Sequence, residues 1–230
     1  MRAKIIILSL ALLFCALSFG QNNHLLIGFN DYGVAFGNSQ NTNGVRLNFW
    51  DNNAERVNGI NVVAVVSQAK ISNGLTLGLA GNNNSICNGI VISGIFGFSE
   101  RTNGIAISGV GYRANRFNGL GITGVGIAGD TLNGLFINVI DFGFLGRNDI
   151  SGQINGVTVG ITGTAAEKVN GVAISVFGNG VEELNGLSIG LVNRAERMRG
   201  VQIGLWNIAE NNRIFRRTPI VNFNFRRQKQ

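Results

Sequence analysis

Aliphatic residues alternate with other types over short stretches of this chain, and the stretches themselves recur every 15 residues. Each stretch starts at an Asn-Gly pair: Asn43 and Gly44, Asn58 and Gly59, Asn73 and Gly74, Asn88 and Gly89, Asn103 and Gly104, Asn118 and Gly119, Asn133 and Gly134, Asn155 and Gly156, Asn170 and Gly171, Asn185 and Gly186. An eleventh copy has Arg199 and Gly200. With the Asn as position 1, positions 3 and 5 are aliphatic in every copy, from Val45 and Leu47 to Val201 and Ile203. Position 4 follows no rule: Arg46, Asn61, Thr76, Val91, Ala106, Gly121, Phe136, Thr158, Ala173, Ser188, Gln202. Such a period of two is the signature of a strand with one buried face. It predicts that positions 3 and 5 point into the core and position 4 points to solvent.

Position 6 is mostly Gly, Ser, Thr or Asn, and position 15 mostly apolar, so each repeat reads as a corner, a short strand and a second bend through polar residues. Two architectures can use that unit. An antiparallel barrel would spend one strand on each repeat, whereas a parallel solenoid would spend one coil. Successive turns of a barrel lie at opposite ends and need not match, but a coil must keep its length for equivalent residues to stack at about 4.8 Å. The constant spacing therefore predicts an all-β, single-domain parallel β-solenoid (β-helix) of about 11–12 coils, with the antiparallel β-barrel as the alternative. One spacing, from Asn133 to Asn155, is 22 residues, which places an insertion within Asp141–Gln153.

The Asn-Gly pairs are candidate structural residues. Gly supplies positive φ at a sharp corner, while Asn can bond its own backbone or the Asn one coil away. Residues 43–212 form the repeat region. Residues 21–42 keep an apolar strand without the motif and read as an N-terminal cap, and residues 213–230 read as a capping strand with a basic tail. Pro219 and the cations Arg213, Arg216, Arg217, Arg226, Arg227 and Lys229 are devices that keep an open sheet edge from pairing with neighbours. Composition agrees with this layout: 34 Gly and 32 Asn disfavour helices, and 45% hydrophobic residues argue against disorder.

Residues 1–20 have the form of a secretory signal, with Arg2 and Lys4 ahead of the apolar run Ile5–Leu17 and small residues before Gln21. Phe14 stands where a lipobox wants a small residue, so lipidation of Cys15 is the lesser reading. Cys87 would then be the one thiol of an exported chain, and it sits where other repeats carry buried hydrophobes. The formal charge of +7 is concentrated at the ends. Residues 21–212 hold 11 basic and 12 acidic side chains, a net of −1, which speaks against nucleic acid as a partner.

The recurring unit, seen as NGLSIGLVNRAERMRGVQIGLWNIAENN near the end, resembles the bacterial surface repeat-containing proteins over about residues 43–212 and the closing PIVNFNF strand. That resemblance implies an exported protein of the cell envelope (periplasm, outer membrane or cell surface). It supplies no catalytic residues.

Candidate chemistry is sparse. His24, the sole histidine, lies at the end of the mature chain, so no multi-histidine metal site can form and neither metal nor other cofactor is expected. Glu55, Glu100, Glu167, Glu183, Glu196 and Glu210 fall in the polar bend beside Arg56, Arg101, Lys168 and Arg197, where ion pairing explains them. The aromatics Trp50, Tyr112 and Trp206 could stack on sugars, but Trp50 and Trp206 share position 8, where core or cap packing is the expected role. The functional expectation is a non-enzymatic envelope or surface protein with a structural or binding role. Its partner would be a protein, a glycan or an envelope component, with possible membrane association. The rivals are an outer-membrane β-barrel and a carbohydrate-active β-helix.

Overall fold

A computed structural model of the chain describes residues 24–52, 54–140 and 151–225. The expected signal segment, most of the insertion (141–150) and Arg226, Arg227 and Lys229 lie outside the described residues. The described residues are all-β and form parallel stacked coils of about 15 residues, some 11 turns in all, in two compact units divided after Gly109.

The first unit opens with a hairpin of β1 (His24–Phe29) and β2 (Tyr32–Gly37), paired antiparallel from His24 opposite Gly37 to Phe29 opposite Tyr32. Asn30 and Asp31, both with positive φ (48° and 64°), make the two-residue turn that such a hairpin favours. From there every pairing is parallel: β2 to β3 (Asn41–Asn48), β3 to β4 (Ala54–Val63), β4 to β6 (Ala69–Gly78), β6 to β7 (Gly81–Ser93) and β7 to β8 (Phe96–Ser108). The short β5 (Val66–Ser67) pairs with β7. Register follows the repeat, with Asn58 opposite Asn73 and Asn88 opposite Asn103.

The second unit repeats the arrangement through β9 (Gly111–Thr123), β11 (Thr131–Asn138), β12 (Ser151–Gly160), β13 (Gly163–Ser175), β14 (Gly178–Ile189) and β15 (Val192–Ala209), again all parallel, with β10 (Gly126–Ala128) on β9. The insertion leaves the ladder in phase, since Asn133 sits opposite Asn155. The short last repeat does the same, with Gly186 opposite Gly200. The closing strand β16 (Arg217–Asn224) pairs antiparallel with β15, across a register irregularity between Gly204 and Asn207. Parallel ladders between successive repeats rule out the antiparallel barrel.

The facing of the strand is the reverse of the expectation. All eleven side positions 4 are buried, and none of the 22 aliphatic residues at positions 3 and 5 is. Phe136 is 1% exposed between Leu135 at 39% and Ile137 at 36%. The inward set comprises positions 4, 6 and 15, joined by residues of the second bend such as Ala54, Ser67, Ala69, Asn82 and Asn179. Its members are mainly small or polar because the sides of a 15-residue coil converge on a narrow interior. Two branched aliphatics from every coil would overfill that space. Outside, each aliphatic lies between its equivalents one coil away, so the ladder half-covers itself without entering the core.

Where a large residue does enter, a neighbour gives way. Phe117 and Phe136 meet edge to face with ring centroids 5.3 Å apart, and Tyr112 joins Phe117 at 5.7 Å. Gly121, at position 4 of the coil before Phe136, leaves the room: a Cβ there would press on Ile127 and on the Phe136 ring. Cys87 is buried at position 15, consistent with a small hydrophobe rather than a nucleophile.

Candidate functional site

The residues singled out in the sequence separate into three groups: the corner, the interior and the outer strand. At the corner, the Asn side chains form a continuous relay within each unit. Asn58 Nδ2 donates to Asn43 Oδ1 at 2.6 Å, Asn73 to Asn58 at 2.7 Å, Asn88 to Asn73 at 2.7 Å and Asn103 to Asn88 at 2.8 Å. In the second unit Asn133 donates to Asn118, Asn155 to Asn133 and Asn170 to Asn155, each at 2.7 Å, and Asn185 to Asn170 at 3.0 Å. Each amide thus donates down the stack and accepts from above. The paired Gly residues all have positive φ, from 114° at Gly74 to 152° at Gly200. Each also faces the backbone of the Gly one coil away so closely that a Cβ on Gly59 would overlap the Gly44 carbonyl oxygen. Two independent constraints therefore demand Gly at this position.

The interior holds polar chemistry that sequence reasoning placed outside. Arg46 and Asp51 are both fully buried and form a bidentate pair, Nη1 to Oδ2 at 2.8 Å and Nη2 to Oδ1 at 2.5 Å. Asn61 Oδ1 and Asn38 Oδ1 also accept from the guanidinium, at 3.1 and 3.2 Å, and the Gln68 backbone N–H donates to Asp51 at 3.1 Å. Two buried charges are tolerable only when paired and hydrogen-bonded in this way, although Arg46 Nε itself is buried with no hydrogen-bond partner among the described residues. In the second unit Asn179 donates to Asn193 at 2.9 Å and Asn193 to Asn207 at 2.8 Å, with Ser188 Oγ donating to Asn193 Oδ1 at 2.7 Å. These groups face one another rather than any ligand, and their place at the centre of the coil makes them structural.

Three of the six bend carboxylates, Glu55, Glu183 and Glu210, are tied into ion pairs that climb from coil to coil, whereas among the described residues Glu100, Glu167 and Glu196 do not form the ion pairs expected of them. Lys70 reaches Glu55 at 2.6 Å, and its hydrogen bond and charge hold the Glu55 carboxyl below the ordinary value. Glu183 accepts from Asn185 at 3.1 Å, with Lys168 at 3.1 Å and Arg197 at 3.9 Å; the Asn185 bond is the main cause of its lowered pKa, outweighing partial burial with help from both cations. Arg194 and Arg216 flank Glu210 at 2.7 and 3.5 Å. Among the described residues, no three His, Cys, Asp or Glu side chains are grouped so as to hold a metal ion. His24 lies in the exposed hairpin strand β1.

The outer strand and the corner after it supply the surface that sequence reasoning assigned to the core. Positions 7 and 8 extend the aliphatic face with Leu79, Val139, Ile161, Val176, Phe177 and Leu205, all exposed. Trp50 and Trp206 are 51% and 46% exposed, so neither packs in the core or under a cap, while Tyr112 is buried and unavailable to a sugar. Their position-8 place puts the indoles at the bend, beyond the last inward residue of the strand. A signal for this was present in the sequence. Position 15, mostly apolar, is also inward, and unbroken alternation from it puts positions 4 and 6 inside and sends positions 3 and 5 outward. Among the described residues, an unbroken, partly exposed aliphatic face is an extended surface feature of each unit that polar pairing leaves unexplained.

No protein-family model matches the chain, nor does any curated protein or solved structure.

Proposed function

We propose that this chain is a non-enzymatic, exported protein of the bacterial cell envelope or surface, with a structural or binding role carried by its repeated outer face. The observation that carries this reading is the division of labour in the coil. What recurs without exception faces outward, and what varies is sealed inside. A catalytic centre needs a few different groups converging once. A uniform outer face instead offers the same contact on coil after coil, which suits adhesion to an extended partner. The signal-like residues 1–20 and the resemblance to bacterial surface repeat-containing proteins support export.

Fractionation of the native host combined with protease treatment of intact cells tests this. The expected result is recovery in the envelope fraction with the signal segment removed. Recovery in the cytoplasm with residues 1–20 intact would sink the proposal. A carbohydrate-active solenoid, the rival class, requires carboxylates free to approach a glycosidic bond. Glu55, Glu183 and Glu210 are engaged by Lys70, by Asn185 with Lys168, and by Arg194, which counts against these three as catalytic carboxylates.

A further inference from the structure

We infer that the corner asparagines are latent deamidation sites which the stack holds closed, and that Asn43, at the open end of the first unit's relay, is the corner where conversion to aspartate and isoaspartate begins. The chemistry is intramolecular. The backbone nitrogen of the following Gly gives up its proton and attacks the Asn Cγ. An N–Cγ bond forms, and the Cγ–Nδ2 bond breaks as Nδ2 takes up a proton and leaves as ammonia. Water then opens the five-membered imide at either carbonyl, which yields aspartate or routes the main chain through the side-chain carboxyl as isoaspartate. Water is the one co-reactant. Gly hinders such an attack least because it has no Cβ, so the ten Asn-Gly corners are ten chemically labile points in the chain.

Two features of the stack oppose the reaction. Attack requires the Asn side chain to fold back over its own following peptide, whereas the relay ties it to the neighbouring coils. In the first unit Asn58, Asn73 and Asn88 each donate to the Asn of the preceding coil and accept from that of the following one, at distances from 2.6 to 2.8 Å. The leaving nitrogen is therefore the bonded one. The attacking nitrogen belongs to Gly59, Gly74 or Gly89, whose backbone rests so closely on the Gly of the preceding coil that a Cβ would overlap it. That nitrogen cannot swing toward Cγ while the coil stays seated. Deamidation thus waits on opening of the coil, and opening costs least at the ends of a repeat array.

Asn43 has only part of this protection. It accepts from Asn58, but its own Nδ2 has no acceptor among the described residues, because the residue opposite it in the preceding coil is Tyr32. Gly44 is seated on Gly33, in the coil that follows the terminal hairpin, and the hairpin strand β1 is exposed at Leu25, Ile27 and Phe29. The far end of the second unit is tied more firmly, since Asn185 donates to both Asn170 and Glu183, at 3.0 and 3.1 Å. Both end coils keep the corner Gly, with φ of 135° at Gly33 and 152° at Gly200, yet they carry Tyr32 and Arg199 in place of Asn. Geometry demands Gly at every corner, whereas the labile Asn is absent from the outermost ones.

The two products act differently on the stack. Aspartate at this corner still offers an oxygen to Asn58 and leaves the coil its length. Isoaspartate adds a backbone atom to a coil whose closure depends on constant length, so the converted coil cannot restack and Asn58 becomes the outermost corner. Conversion then advances inward, coil by coil.

The test compares two corners of matched local chemistry, Thr42-Asn43-Gly44 and Ser72-Asn73-Gly74, so that a difference in the folded chain reports the stack rather than the sequence. The full chain is incubated at mildly alkaline pH, folded or in guanidinium chloride, and each corner is followed by peptide mass spectrometry, with isoaspartate told from aspartate by its fragmentation. In guanidinium chloride the two corners should convert at matching rates. In the folded chain Asn43 should convert at least about tenfold faster than Asn73. Asn58→Leu removes the acceptor of Asn73 and should speed its conversion by about tenfold, with far-ultraviolet dichroism reporting that the stack is retained. Asn58→Asp keeps that acceptor, so Asn73 should stay slow, and this variant carries the test if the Leu variant does not fold. Equal rates at Asn43 and Asn73 in the folded chain would overturn the inference. So would folded rates that match those in guanidinium chloride, an unchanged Asn73 in folded Asn58→Leu, or an accelerated Asn73 in Asn58→Asp.

Discussion

The corner and the outer strand of each coil are equally regular in sequence, yet regularity means different things in the two places. At the corner, Gly171 is fixed by its own backbone: φ is 141°, and a Cβ would run into the Gly156 carbonyl. Two residues on, Ala173 is buried at a position where the repeat tolerates anything from Gly to Arg, while its aliphatic neighbours Val172 and Ile174 are only half-buried. An invariant position thus reports that something constrains it, and the constraint can be internal geometry or an outside environment. Burial is a separate matter. In this fold the interior is the permissive region, because any side chain that matches its neighbours above and below in volume and hydrogen bonding can be accommodated.

If coil length is the master constraint that both regions share, breaking it should have the largest effect. Removing Gly89–Asn103, one full period, joins Asn88 to Gly104 and keeps every remaining ladder in register. Stability should fall by one repeat's nearest-neighbour contribution, with a cooperative melt retained. Removing only Gly89–Phe96 leaves a coil too short to close, and cooperative unfolding should be lost. Circular dichroism melts compare the two, and a failure of the 15-residue deletion to fold would contradict coil-by-coil stacking.

The period, the coil and the corner were legible in the sequence because each rests on backbone geometry that allows one residue type. Exact spacing gave the parallel stack, and the Gly φ values and the Asn relay follow from the Asn-Gly pair. The facing was not legible from the aliphatic strand alone. Leu135, Phe136 and Ile137 are all apolar, so hydrophobicity cannot say which of them is inside; at Arg46 and Asn61 it points the wrong way, since those side chains are buried by virtue of Asp51 and of each other. Pairwise satisfaction between residues 15 apart is a property of the stack and has no trace in any single repeat.

At the corner itself, Gly171→Ala should cost about 2–4 kcal/mol, since strained φ and a backbone collision act together and no flexible side chain can yield. Chemical denaturation would measure it. Gly180→Ala serves as the control, because a Cβ there meets nothing within 4 Å, and it should be close to neutral.

The inverted facing gives adjacent residues unequal weight. Phe136→Ala should cost about 3–5 kcal/mol, the range for an aromatic removed from a core, whereas Leu135→Ala should cost about 1 kcal/mol because much of its surface already faces out. Equal losses at the two sites would mean that the aliphatic ladder is covered in the folded protein in solution.

The smallest expected effect lies where the corner meets the charged bend. Glu183 bonds Asn185, the corner Asn two residues on, and its pKa is lowered from the ordinary 4.5 by that bond first and by Lys168 and Arg197 after it. A carboxyl whose folded pKa is depressed binds its proton more readily in the unfolded chain. Its stabilising contribution is therefore complete above the unfolded value, and it is lost as pH falls from there through the folded value. The Glu183→Gln variant should accordingly melt slightly below the native protein near neutral pH and converge with it in acid. The side chain is partly exposed and its partners are solvated, so the gap should stay within about 1 kcal/mol at low salt and shrink as salt is added. A gap that persists unchanged into acid would mean that the Asn185 bond acts through geometry, holding the corner amide for its neighbours, rather than through the carboxylate charge.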